Sequence, residues 1–191
     1  MTNKVLVEVP SISVMMSKII ETEGGYVNDP YDSGGPTNYG VTLHTFSAYV
    51  GHEASIEELQ QMTKEQAADI FLSEYYLVPN INLLPQSIQY IVTDMSVNHG
   101  RMTGVEILQV ALNSFLPIDN LKQISIDGII GPITVRSSIA VINKFTSKAL
   151  INKICDFREA LYQELVVEHP TNKRFIVGWT NRNNSFRVET V

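Results

Sequence analysis

The chain has 191 residues, 44% of them hydrophobic and 18% charged, which is ample material for a core and unlike the composition of a disordered segment. A formal net charge of −6 excludes the broad basic face by which proteins hold nucleic acid or anionic membranes non-specifically, so no nucleic-acid partner is expected. A single cysteine, Cys155, excludes an intramolecular disulfide framework; it falls within an apolar periodicity and reads as a buried, inert thiol.

The run around Lys4 is interrupted by Glu8 and Pro10, which makes a poor signal peptide. No stretch approaches the ~18 apolar residues of a spanning helix, so no stable membrane insertion is expected. The expectation is synthesis and folding in the cytoplasm, with a separate device for delivery if the target lies outside. Ile12, Met16, Ile19, Ile20 and Glu23 recur at helical spacing and predict a first helix over about 11–23, ended by Gly24-Gly25. Residues 26–42, rich in Gly, Pro, Asn and Asp, predict a long loop or a short irregular hairpin.

Ser55-Ile-Glu-Glu58 and Thr63-Lys-Glu-Gln66 are capping-box patterns that open helices near 55–61 and 63–77. Gln86–Asn98 carries Ile88, Ile91, Val92 and Met95 on one face and stops at Gly100. A boundary is placed at Gly100–Thr103, dividing the chain into regions 1–100 and 101–191. Beyond it come helices over about 104–114, from Pro132 toward Ile142, and over about 144–167. The last has a stripe of Leu150, Ile154, Phe157, Leu161 and Leu165, and a final short helix holds Phe175 and Trp179. The predicted fold is mostly α.

Two glutamates close the first helix. Glu21 lies three residues after Lys18 and faces solvent, whereas Glu23 continues the apolar stripe, about 200° away at ~100° per residue. A partly buried carboxylate there would hold its proton toward ~6, as a general acid requires. A glutamate that merely braces the following loop fits the same spacing. The loop adds Asp32, able to orient a water or offset positive charge, Thr37, able to hold that water, and Tyr26, Tyr31 and Tyr39, whose faces suit sugar rings. The acids lack the alternation of an EF-hand. His44, His52, His99 and His169 are scattered with no HExxH pair, so neither metal nor cofactor is expected.

The segment Glu23-Gly-Gly-Tyr26 followed by Asp32-Ser-Gly-Gly-Pro-Thr37-Asn-Tyr-Gly40-Val-Thr42 resembles glycoside hydrolase family 108, the N-acetylmuramidases of phage endolysins and bacterial secretion-associated muramidases. Val41 stands where isoleucine is commoner. Asp94-Met-Ser-Val-Asn98-His-Gly100 resembles a further family segment. Ile107-Leu-Gln109 with Asp127-Gly-Ile-Ile-Gly-Pro-Ile-Thr134 is similar to a companion peptidoglycan-binding-like region, and Phe175-Ile-Val-Gly-Trp179-Thr-Asn-Arg182 to its ending. The resemblance covers about 12–188.

It implies a lysozyme-like helical domain with a smaller C-terminal helical lobe, acting on peptidoglycan glycan strands. The implied reaction is hydrolysis of the β-1,4 bond from N-acetylmuramic acid to N-acetylglucosamine, with Glu23 as the catalytic acid. The Glu-to-Asp-to-Thr order also looks like that of phage-type lysozymes, with the Asp-to-Thr interval one residue shorter, so Asp32 and Thr37 are supporting candidates. Tyr26, Tyr39 and Asn98 are candidate substrate contacts, Asn98 being equally readable as a helix C-cap. Asp94 is expected to pair with a cation or cap, and Trp179 to anchor the core. An endolysin role implies delivery by a holin-type pore or a secretion route. The competing readings are a lytic transglycosylase, and a non-catalytic peptidoglycan-binding or structural phage protein.

Overall fold

The structure, a computed structural model, describes residues 12–28 and 35–189. It is mostly α, with one two-stranded hairpin among the described residues. The chain forms two compact units, residues 1–78 and 79–191.

In the first unit α1 (Ile12–Glu23) packs on α4 (Lys64–Leu72). Met15, Met16, Ile19 and Ile20 of α1 and Ala67, Ile70 and Phe71 of α4 are buried. Between them lie the hairpin strands β1 (Thr37–Asn38) and β2 (Val41–Thr42), then α2 (Leu43–Val50) and α3 (Ile56–Gln60). Both predicted capping boxes form. Ser55 Oγ accepts from the Glu58 amide while Glu58 accepts from the Ser55 amide, and Thr63 and Gln66 do the same. α4 runs into a π turn over Ser73–Leu77, so the predicted 63–77 helix is one rod in two geometries.

Helix α2 has no counterpart in the sequence reading. Its signals are local: Thr42 accepts from the Thr45 amide at the N-terminus, and Gly51, at φ +79°, closes the C-terminus. Phe46 is its single buried residue, too little periodicity to stand out in eight residues.

In the second unit α5 (Gln86–His99) and α6 (Arg101–Asn113) form the most extensive helix pair. Only Gly100 separates these two helices, which meet in a tight corner. Gly104 makes the approach possible. A Cβ there would stand 2.7 Å from the Ser96 amide nitrogen and 2.9 Å from its Cα, backbone atoms that cannot yield. α7 (Pro132–Phe145) and α8 (Ser147–Glu168) follow, separated by Thr146 at φ 104°, and α9 (Ile176–Asn184) packs on α8. A 3₁₀ turn, Pro170–Arg174, precedes α9.

The stripe on α8 is rotated from the predicted one. Leu150, Ile151, Ile154, Cys155, Arg158 and Tyr162 are buried, whereas Phe157, Leu161 and Leu165 flank it, half-buried. The reading followed leucines and passed over the arginine, because a charged residue is rarely fully buried unless paired. Cys155 is buried, its Sγ 3.7 Å from the Asn183 carbonyl, and burial pushes its thiol up to about 11. It is a protonated packing group at neutral pH.

Candidate active site

The site candidates of the first unit sit on a short, heavily tied piece of backbone. α1 ends at Glu23, and Gly24 turns the chain at φ +80°. Among the described residues nothing lies within 4 Å of a Cβ built there, so the positive φ is what favours the glycine. Val27 then pairs with Thr37 in both directions, amide to carbonyl, at 2.8 and 2.9 Å. This bridge ties the end of α1 to the start of β1. Thr37 is thereby held opposite a residue four positions beyond Glu23.

The hairpin is fixed in turn to α3. Thr37 faces Thr42 and Asn38 faces Val41, with Tyr39 and Gly40 at φ 49° and 76° making the turn. Asn38, 4% exposed, donates Nδ2 to the Leu59 carbonyl at 2.8 Å and more weakly to that of Gln60 at 3.3 Å. This asparagine, a motif residue to which the sequence analysis gave no role, holds the hairpin against α3. Thr42 is likewise structural: its hydroxyl caps α2. Tyr26 and Tyr39 are both half-buried, leaving part of each ring accessible. The side chain of Glu23, and Tyr31 and Asp32 entirely, lie outside the described residues. Glu21, read as the surface acid, is exposed.

The candidates of the second unit surround a buried ion cluster. Asp94, 3% exposed, meets Arg158 Nη2 at 2.7 Å through Oδ2, and Arg182 Nη2 at 2.9 Å through Oδ1. Arg182 Nε also donates to Oδ1 at 3.0 Å. The expected cation partner of Asp94 is therefore two arginines, from α8 and α9. Asp94 and Arg182 come from two motifs of the sequence analysis that had no stated connection. Arg158, fully buried, was missed; its signal was helical spacing with Ile151, Ile154, Cys155 and Tyr162.

Asn98 stands one turn beyond Asp94, half-buried on the last turn of α5. Gly100, not Asn98, takes the capping position. The Asn98 Nδ2 is shielded from solvent and has no hydrogen-bond partner among the described residues, so a donor is left over at this point. Trp179 lies 5.3 Å from the Tyr162 ring and 5.9 Å from Phe175. It is half-buried, an anchor on its Tyr162 side.

His99 accepts a hydrogen bond at Nε2 from Arg158 Nε, 3.3 Å away. Burial, reinforced by the Arg158 charge, lowers its pKa to about 4. The unfolded chain binds this proton below about 6.5, whereas the folded one does not until about 4. Stability therefore rises with pH across that window and is lost as pH falls through it. The His99 ring resonances should show no titration between pH 5.5 and 8 in an NMR pH series; a midpoint near 6.5 would contradict the neutral, accepting imidazole.

Gln109 explains the Asp127-Gly128 segment. It is 1% exposed; its Oε1 accepts from the amides of Asp127 and Gly128, both at 3.0 Å, and its Nε2 donates to Asp127 Oδ1 at 2.7 Å and to the Ile129 carbonyl at 3.1 Å. Asp127 Oδ1 also accepts from the Ile129 amide. The Gln109 bond first, and then this amide, hold the Asp127 carboxyl below the usual carboxylate range. The segment is a turn clamped from inside by one glutamine, whichever further contacts its outer face makes.

Among the described residues no three His, Cys, Asp or Glu side chains are grouped to hold a metal ion. No described helix is long and apolar enough to cross a membrane.

The described part of the first unit thus joins the end of α1 to a hairpin pinned on α3, and the second unit is tied together by buried polar residues. Comparison with known proteins gives the class. Residues 16–100 match the family model described as glycosyl hydrolase 108, and residues 103–184 match one described as a predicted peptidoglycan domain. SagA of Brucella abortus, a solved structure, is 31% identical, with a TM-score of 0.71 over 92% of this chain and 91% of that one. No curated protein sequence matches. The chain belongs to glycosyl hydrolase family 108. It is a glycoside hydrolase whose polymer is peptidoglycan. The first family segment runs through α5, which packs within the second compact unit.

Proposed function

We propose that the chain is an N-acetylmuramidase, cleaving the β-1,4 bond between N-acetylmuramic acid and N-acetylglucosamine with Glu23 as general acid. The observation that carries the reading is the placement of Glu23, the last residue of α1, in a family segment whose turn and hairpin are pinned by the Val27–Thr37 bridge and by Asn38. Such pinning limits the drift of a catalytic group, where small displacements cost much of the rate.

In this reading protonated Glu23 gives its proton to the leaving glycosidic oxygen as positive charge builds at the anomeric carbon. Asp32 orients the attacking water or offsets that charge, and Thr37 steadies the water. Carboxyl groups about 6.5–9.5 Å apart leave room for water and invert configuration; about 5–5.5 Å permits direct attack and retention. Tyr26, Tyr39 and Asn98 serve as sugar contacts. Action as an endolysin at the wall, after delivery through a holin-type pore or a secretion route, completes the reading.

The test is a time course of new reducing ends released from purified peptidoglycan. The muramidase reading expects steady release without anhydro sugars. A 1,6-anhydro product would mark a transglycosylase, and unchanged polymer a binding protein.

A further inference from the structure

The segment after α8 differs in charge from the rest of the chain. From His169 to Val188 there are four cations, Lys173, Arg174, Arg182 and Arg187, and no carboxylate, within a protein of net charge −6. Two of the four are committed: Arg182 to Asp94, and Arg187 to Asp156 at 2.8 Å. Lys173 and Arg174, at the end of the 3₁₀ turn, are exposed and have no carboxylate partner among the described residues.

Arg174 nevertheless has a defined place. Its Cζ lies 4.5 Å from the centroid of the Phe175 ring, within cation–π range. Phe175 stacks on Trp179 at 27° between planes, and Trp179 packs tilted on Tyr162 at 32°. The three rings form a column from Tyr162, fully buried, to Phe175, 44% exposed. α9 cannot slide beneath it, because Asn183 donates to the Cys155 carbonyl at 2.9 Å and Thr180 to Glu159 at 3.1 Å. Among the described residues, an exposed phenylalanine over this column, carrying an arginine with no hydrogen-bond partner, offers no gain to the fold beyond the ring contact. It does offer an apolar ledge beside a fixed, permanently charged fork, the geometry that pairs with a carboxylate.

We propose that Arg174 and Phe175, backed by Trp179, form a second contact for peptidoglycan, taking a free carboxylate of the peptide stems on the guanidinium and an adjoining sugar or peptide face on the ring. The proposal rests on peptidoglycan being the polymer, and it adds recognition of the peptide to that of the glycan. A contact with peptide carboxylates also lets an acidic protein hold an acidic wall by local complementarity.

The test is co-sedimentation of the full chain on ice with two polymers, intact peptidoglycan sacculi and the same glycan stripped of peptides by an amidase. Reducing-end release by the wild type on the intact sacculi is measured in parallel, so that loss of the enzymatic reading is seen separately from loss of this one. Arg174→Glu is expected to bind intact sacculi about tenfold more weakly, as for loss of one charge-assisted contact. Arg174→Lys should recover part of the affinity, since it restores the charge. Wild-type binding should fall on stripped glycan to the level of Arg174→Glu, and Arg174→Glu should fall no further. Wild-type affinity for intact sacculi should also weaken with added salt. Equal binding of wild type and Arg174→Glu to intact sacculi overturns the proposal, as does equal binding of the wild type to both polymers. A melting temperature of Arg174→Glu equal to that of the wild type assigns its loss of binding to the ledge; a fall in melting temperature with no recovery in Arg174→Lys overturns the proposal in favour of a structural arginine.

Discussion

Replacing Glu23 with glutamine is expected to lower reducing-end release from peptidoglycan by about 10²–10⁴-fold, the range over which general acid catalysis contributes. Glutamine keeps the shape and the hydrogen-bonding reach of the residue but has no proton to give to a leaving alkoxide. The position is the last of α1, followed by Gly24 at φ +80°. Thermal stability should stay close to that of the wild type, because the general-acid reading gives the carboxylate a chemical role rather than a bracing one. A glutamate that only braced the loop would give the opposite pair of results, with activity tracking a fall in stability. Asp32→Asn makes the companion measurement. A loss comparable to that of Glu23→Gln keeps Asp32 as the base or charge stabiliser, whereas near-normal turnover assigns water activation elsewhere, for instance to the substrate's own N-acetyl group.

Asp94→Asn is expected to destabilise the protein by about 3–5 kcal/mol, the cost of leaving a buried charge without its partner. Asp94 pairs with both Arg158 and Arg182, and Arg158, fully buried, already donates to a neutral imidazole. Without Asp94 the buried Arg158 guanidinium loses its carboxylate, and α5, α8 and α9 lose their common tie. The urea midpoint should fall with the slope unchanged. Arg158→Met should cost less, because Arg182 still neutralises Asp94 and a methionine fills part of the space among Tyr162 and Phe186 with apolar atoms. A loss under about 1 kcal/mol for Asp94→Asn would show that the cluster contributes little to the fold.

The sequence made the scaffold readable where local chemistry decides structure. Both capping boxes, the first helix and its glycine stop, the mostly α class and the irregular hairpin follow from periodicity and turn residues, and the structure has them. The family segment around Glu23 was readable for the same reason, being a continuous motif. What escaped was long-range. Arg158, Asp94 and Arg182 are separated by up to 88 residues, and nothing in a one-dimensional pattern pairs them. The helix stripe on α8 was drawn through leucines because burial of an arginine depends on a partner elsewhere in the chain. Asn38 is the local counterpart: its two carbonyl acceptors, on Leu59 and Gln60, are only 21 and 22 residues away, yet the motif in which it sits drew attention to its neighbours. Gln109 repeats the lesson, since its four hydrogen bonds turn a segment that read equally well as a ligand grip into an internally clamped turn.

The identity of the sugar at each newly cut end tests the central claim most directly. Peptidoglycan digested by the wild-type chain is reduced with borohydride, hydrolysed, and its amino-sugar alcohols separated and weighed by mass spectrometry. The account predicts muramitol, absent when Glu23→Gln replaces the wild type. Glucosaminitol would place the cut on the other side of N-acetylglucosamine, and anhydro ends would remove water as the nucleophile; either would contradict a muramidase.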